Sequence, residues 1–97
     1  MLTLSGKQVR HLRALGHHLN PVVMIGKDEL TPAILSAVET ALDDHELIKI
    51  KLQESCLLDR REVAAALAEA TGGAVAQVLG KTLLLYRPGE NRKITLP

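Results

Sequence analysis

Residues 47–52 read Leu-Ile-Lys-Ile-Lys-Leu, and this alternation constrains the rest of the chain. Successive side chains of an extended strand point to opposite faces. Ile48, Ile50 and Leu52 therefore share one face, and Lys49 and Lys51 share the other. Such a strand is buried on one side and wet on the other. It needs a sheet to sit in, a layer over its apolar face, and an opposite face left at least partly open.

The flanking sequence supplies both the sheet and the layer. Ser5-x-x-Gln8 is a capping box and starts a helix whose apolar stripe is Val9, Leu12, Leu15 and Leu19. Lys7, Arg10, Arg13 and His17 fall on its opposite side, which carries no acid, and Asn20-Pro21 ends it. Val22 to Ile25 reads as a short buried strand, followed by the loop Gly26-Lys27-Asp28-Glu29. Thr31 is placed to cap a second helix with Pro32 in its first turn and Leu30 and Leu35 as a hydrophobic staple. That helix runs on Ile34, Val38, Ala41 and Leu42 and ends near Asp43-Asp44. Asp59-x-x-Glu62 is a second capping box, with Leu58 and Val63 as its staple, and opens an Ala-rich helix that stops at Gly72-Gly73. Ala74 to Leu79 and Thr82 to Arg87 form a hairpin through Gly80-Lys81, which suits a type II′ turn. Pro88 to Pro97 is irregular or a short edge extension.

The order is α-β-α-β-α-β-β. It predicts a two-layer α/β fold with a four-stranded mixed sheet and helices mainly on one face, as a single domain over residues 1–97.

The core has to be aliphatic, because the 97 residues include no Trp, no Phe and one Tyr, Tyr86. A single Tyr cannot form the aromatic platform on which single-stranded nucleic acid is commonly stacked. The lone Cys56 excludes an intrachain disulfide and reads as a buried or incidental thiol. The N-terminus carries no signal-peptide pattern, and no apolar run approaches the roughly 18 residues of a membrane span. The expectation is a soluble cytoplasmic protein, acting as a monomer.

Net charge is only +1, but the charges are segregated. Residues 1–27 hold four Lys/Arg and no acid, residues 28–73 hold ten acids against four bases, and residues 74–97 hold four bases against one acid. Segregation of this kind predicts a polyanion-binding face with an acidic back. The loop at Gly26-Lys27 fits that use. Glycine lets a backbone come close to a phosphate, and the helix that follows presents free N–H groups and the positive end of its dipole, as in the GXXG loop of KH domains.

Other chemistries find little support. Gly80-Lys81-Thr82 resembles the end of a nucleotide-binding P-loop, but Val75 stands where that motif needs Gly and a strand follows where it needs a helix. His11, His17 and His18 have no neighbouring ligands in sequence to complete a metal site. Cys56 and His45 lack any oxyanion feature, and no carboxylate pair is placed for acid–base work. No catalysis, cofactor or small-molecule substrate is expected.

Several stretches together carry a family likeness. They are His17-His18-Leu19-Asn20-Pro21-Val22-Val23, Ile25-Gly26-Lys27-Asp28-Glu29-Leu30-Thr31, His45 to Lys51, Gln77 to Pro88 and Arg92 to Pro97. In this order, over nearly the whole chain, they resemble YhbY-type proteins, the stand-alone bacterial form of the CRM (chloroplast RNA splicing and ribosome maturation) domain. The resemblance implies an RNA-binding module similar to the C-terminal domain of the third bacterial initiation factor, associated with precursors of the large ribosomal subunit. It also implies RNA contact at the GXXG loop. Here Gly26 and Lys27 match that loop, but Glu29 stands where the family has its second Gly.

The expected RNA-binding residues are Lys7, Arg10, Arg13, Gly26, Lys27, Thr31, Lys49, Lys51, Lys81, Arg87, Arg92 and Lys93, acting mainly through phosphate and shape contacts. The alternative is a protein-interaction module that meets a basic partner through Glu39, Asp43, Asp44, Glu62 and Glu69.

Overall fold

The computed structural model describes residues 2–90 and 92–97. The expected order of elements is present: α1 (Gly6–Gly16), β1 (Pro21–Ile25), α2 (Pro32–His45), β2 (Leu47–Leu52), α3 (Arg60–Thr71), β3 (Ala74–Leu79) and β4 (Thr82–Tyr86).

The helix starts follow local chemistry in two cases of three. The Gln8 N–H donates to the Ser5 hydroxyl at 3.1 Å, and the Ser5 N–H donates to the Gln8 side chain at 3.0 Å, which completes the capping box of α1. The Ile34 N–H donates to Thr31 Oγ1 at 3.1 Å and caps α2. Asp59 occupies the N-cap position of α3, but its side chain makes no capping hydrogen bond, so the second capping box does not form. Glu62 still favours that helix end through the dipole, and the left-handed Gly72 (φ 72°) closes the other end.

The sheet order is β1-β2-β4-β3. β1 runs parallel to β2 across the α2 crossover, and the remaining pairs are antiparallel. Gly80, at φ 58°, supplies the positive dihedral that the first position of the β3–β4 turn requires. Both outer strands are irregular. The register slips between Pro21 and Val23 in β1, and between Val75 and Gln77 in β3.

Two apolar clusters lie on opposite faces of this sheet. The larger joins Ile25, Ile48, Ile50, Leu83 and Leu85 to Val38 and Leu42 of α2 and Val63 and Leu67 of α3. The smaller gathers Leu47, Ala76, Leu84 and Tyr86 under Leu12 of α1, with Leu2, Leu4, Ile94 and Leu96 from the chain ends packed against it. Two helices thus cover one face, while α1 and the ends cover only part of the other.

Two expectations change here. β1 is an edge strand and is not buried on both faces: Val23 and Ile25 face the core, but Val22 and Met24 are about half exposed. α1 stops at Gly16, before Asn20-Pro21. Gly16 lies so close to Leu84 that a Cβ there would come within 2.5 Å of Leu84 Cδ1. The contact line of the helix is therefore Leu12 and Gly16, and Leu15 and Leu19 are left to the side, 41% and 36% exposed.

One buried carboxylate holds the tail in place. Glu46 follows α2 with φ 65° and is 1% exposed. Its oxygens accept hydrogen bonds from the backbone N–H groups of Gly89 (3.1 Å), Lys93 (2.9 Å) and Ile94 (3.0 Å). Its own carbonyl accepts from the Arg87 N–H at 2.9 Å. The tail is irregular and lies along the second face, with Lys93 Nζ donating to the Asp44 carbonyl at the C-terminal end of α2.

Burial alone would raise the Glu46 pKa. The donors at Lys93, Ile94 and Gly89, with the Lys93 charge, outweigh burial and hold it below the ordinary 4.5. A depressed carboxylate contributes stability that is fully present above the unfolded-state value and is lost as pH falls through the folded one. Acid titration of stability should show this loss below pH 4.5, and Glu46→Gln should be less stable at pH 7 by about 1–3 kcal/mol with a flatter acid limb. An unchanged acid limb in that variant would remove Glu46 from this role.

Candidate nucleic-acid interface

Charge is sorted by element. α1 and all four strands contain no Asp or Glu. Ten of the eleven acids lie between residues 28 and 69, in α2, α3 and the segments that flank them, and Glu90 lies in the tail. Because α2 and α3 pack on one face, the acids go with that face, and α1 with the open part of the sheet is left basic. Lys51 is exposed and Lys49 half-buried on the open face, and Lys7, Arg10 and Arg13 are exposed on α1, which packs on the same face of the sheet. Arg13 leans onto the sheet, with Nε donating to the Ala76 carbonyl at 3.2 Å.

Two more lysines stand at one end of the sheet. β1 and β2 finish there, and β4 begins there. The Gln53 N–H donates to the Ile25 carbonyl (2.8 Å), and the Leu52 N–H donates to the Lys81 carbonyl (2.7 Å), which ties the three segments together. The exposed Lys27 and Lys81 therefore border the end at which Lys51 lies. This end is mixed in sign. Lys81 Nζ pairs with Glu54 at 3.0 Å across exposed surface, a contact of little energetic weight. Arg60, which the sequence reading did not single out, donates from Nη1 to the Gly80 carbonyl at 2.9 Å and steadies the hairpin tip.

The loop between β1 and α2 turns tightly, and a carboxylate stands in it. A Cβ at Gly26 would come within 2.7 Å of the Gln53 side-chain oxygen, the movable end of an exposed side chain, so the site is tight but does not demand glycine. Glu29 takes φ 58°, a region that glycine occupies without cost, and its N–H donates to the Gly26 carbonyl at 3.0 Å. The backbone thus keeps the conformation of a glycine-ended turn while the side chain adds a negative charge. Thr31 is occupied by its capping bond.

Arg87 requires a correction. It was expected on the binding surface, but it projects from the end of β4 onto the helical face. There it donates to Glu39 (2.7 Å), Asp43 (2.8 Å) and the Thr71 carbonyl (2.8 Å), joining α2 to α3. Burial would lower its pKa, but the bonds and charges of Glu39 and Asp43 outweigh burial and raise it. Lys93 is likewise engaged with Asp44, whereas Arg92 is exposed in the tail.

The sequence reading missed Glu46 and its hold on the tail. Its only local signal was an acid placed at a helix C-terminus, where the dipole disfavours it. Among the described residues, no three His, Cys, Asp or Glu side chains group as metal ligands would, and no helix is long and apolar enough to cross a membrane. Cys56 is half-buried against the larger cluster, and Tyr86 is 1% exposed, so no aromatic ring other than histidine faces solvent on this surface.

A mixed four-stranded sheet with two helices on one face, a third on the other and a glycine loop before α2 defines a compact α/β module. Residues 4–87 match the CRS1 / YhbY (CRM) domain, and the chain belongs to that family. It is 45% identical over 97 residues to a Haemophilus influenzae RNA-binding protein, covering 100% of this chain and 98% of the relative. It is 37% identical over 95 residues to a Bacillus subtilis protein named probable RNA-binding protein YqeI, covering 97% and 99%. The solution structure of a hypothetical protein from Staphylococcus aureus superposes with a TM-score of 0.83 at 36% identity, covering 98% of this chain and all of the other.

The Glu29 backbone can be tested directly. Glu29→Gly releases about 1–2 kcal/mol of left-handed strain and gives back about 0.4–1 kcal/mol through a more flexible unfolded chain. Urea unfolding should show Glu29→Gly stabilised by up to about 1 kcal/mol, with Glu29→Gln within about 0.5 kcal/mol of the parent. A Glu29→Gly protein less stable than the parent would mean that the carboxylate itself supports the loop.

Proposed function

We propose that the protein is a non-catalytic RNA-binding factor that associates with precursors of the large ribosomal subunit in the cytoplasm, and does so as a monomer. The observation that carries the RNA reading is the absence of acid from α1 and from every strand. A polyanion approaching that face meets Lys7, Arg10, Arg13, Lys49 and Lys51, with Lys27 and Lys81 at its end and Arg92 in the tail. Membership of the CRM family and the names of the relatives support the same reading. The ribosomal assignment rests on the family likeness.

With Tyr86 buried, recognition runs mainly through phosphates and RNA shape, without a tyrosine, phenylalanine or tryptophan platform for stacking. Glu29 tempers contact at the loop. The alternative, a basic protein partner on the acidic helical face, is the less favoured, because Glu39 and Asp43 are already paired with Arg87.

Affinity for a structured ribosomal RNA fragment should fall with salt along a straight line in log–log coordinates. Replacing Lys27 and Lys81 together by Glu should weaken binding and reduce that slope by about 2, while Glu29→Gln should strengthen binding. A salt-independent affinity would defeat the electrostatic reading. Parental affinity in the double variant would remove the two lysines from the site. In cells, nuclease treatment of a pull-down should release ribosomal material. Retention would favour the protein-partner alternative.

A further inference from the structure

β1 begins at Pro21 opposite Lys49, so Leu47 and Ile48 of β2 have no strand neighbour on that side. A groove of about 440 Å³ opens there, between the end of α1, the start of β1 and the tail. Its walls include Leu15, Leu19 and Ile94, and three polar residues also line it: Asn20, His45 and Lys49. Ile94 stands where the Glu46 carboxylate holds its backbone. Apolar walls with a few convergent polar groups are the usual composition of a site for a small flat ligand, and this volume lies in the usual range.

We propose that this groove takes an unpaired nucleobase of the bound RNA. The proposal rests on the RNA reading above and adds a subsite to it. An unpaired base offers two apolar faces and a polar edge. The leucines and Ile94 cover the faces without an aromatic ring. The Asn20 amide and the His45 imidazole can both donate and accept, as a base edge requires. Lys49 meets the adjoining phosphate. Charge complementarity selects RNA over a basic peptide, because no acid lines the groove and Lys51 follows Lys49 along the same face.

The test compares two RNAs of equal length, a hairpin with an unpaired loop and a blunt duplex. Asn20 and His45 are both exposed, so the double variant N20A/H45A leaves the packed clusters untouched. Wild type should prefer the hairpin, and the double variant should lose about tenfold on the hairpin, the worth of two hydrogen bonds to the base edge, while keeping its duplex affinity and salt slope. The Asn20 side-chain amide signals of the wild-type protein should shift on hairpin addition and stay in place with the duplex.

Wild-type protein that binds neither RNA would defeat the RNA reading itself. Wild type that binds both equally, with no effect of N20A/H45A, would defeat only the groove assignment. Groove signals that ignore both RNAs but change with protein concentration would assign the groove to a second copy of the chain and overturn the proposal.

Discussion

The open face is shaped by a carboxylate that does not reach solvent. Glu46 turns the chain from α2 into β2, and its backbone carbonyl receives the strand end at Arg87. Its side chain then gathers three tail N–H groups. Few residues could replace it. The position needs a positive φ, an acceptor with capacity for three donors, and a length that reaches across the sheet end. The site is tight on the tail side as well, because a Cβ at Gly89 would come within 2.9 Å of a Glu46 oxygen. A buried anion satisfied by backbone donors carries a desolvation cost that only complete pairing offsets. Its environment is therefore all-or-none, and the tail segment it holds is fixed together with the turn.

The charge layout follows from where helices can pack. Strand residues that contact α2 and α3 must be apolar, and residues on the other face are free to be polar. Here every charged strand residue on that face is a base. The acids collect on the helices and loops of the covered side, where Arg87 pairs with Glu39 and Asp43 and so leaves that side less acidic than the residue count implies.

Much of this was legible in the sequence. The element order and mixed sheet followed from punctuation and from the alternation at 47–52, because caps, glycines and period-2 patterns act locally. The fold class and the family were both recoverable at that level. What was not legible depended on partners distant in the chain. Leu15 and Leu19 belong to a helical stripe by periodicity, but the approach of Gly16 to Leu84 turns Leu15 aside and the helix ends before Leu19. Val22 and Met24 read as buried until α1 is seen to pack on β2 and β3 and to leave the second face of β1 open. Arg87 read as a free cation until α2 and α3 closed over it. Asp59 had the right spacing for a capping box, yet its side chain makes no capping bond.

The two register slips lie in the two outer strands and in neither inner one. An exposed strand rim offers unpaired backbone groups to any other extended chain, and a local kink makes that rim a poor template. β1 adds a proline at its first residue, which has no N–H to offer. The inner strands, which hold the packed clusters, stay regular, while the rims resist pairing with a further strand. A protein with a largely aliphatic interior and a partly open sheet face thereby gains protection against stacking edge to edge.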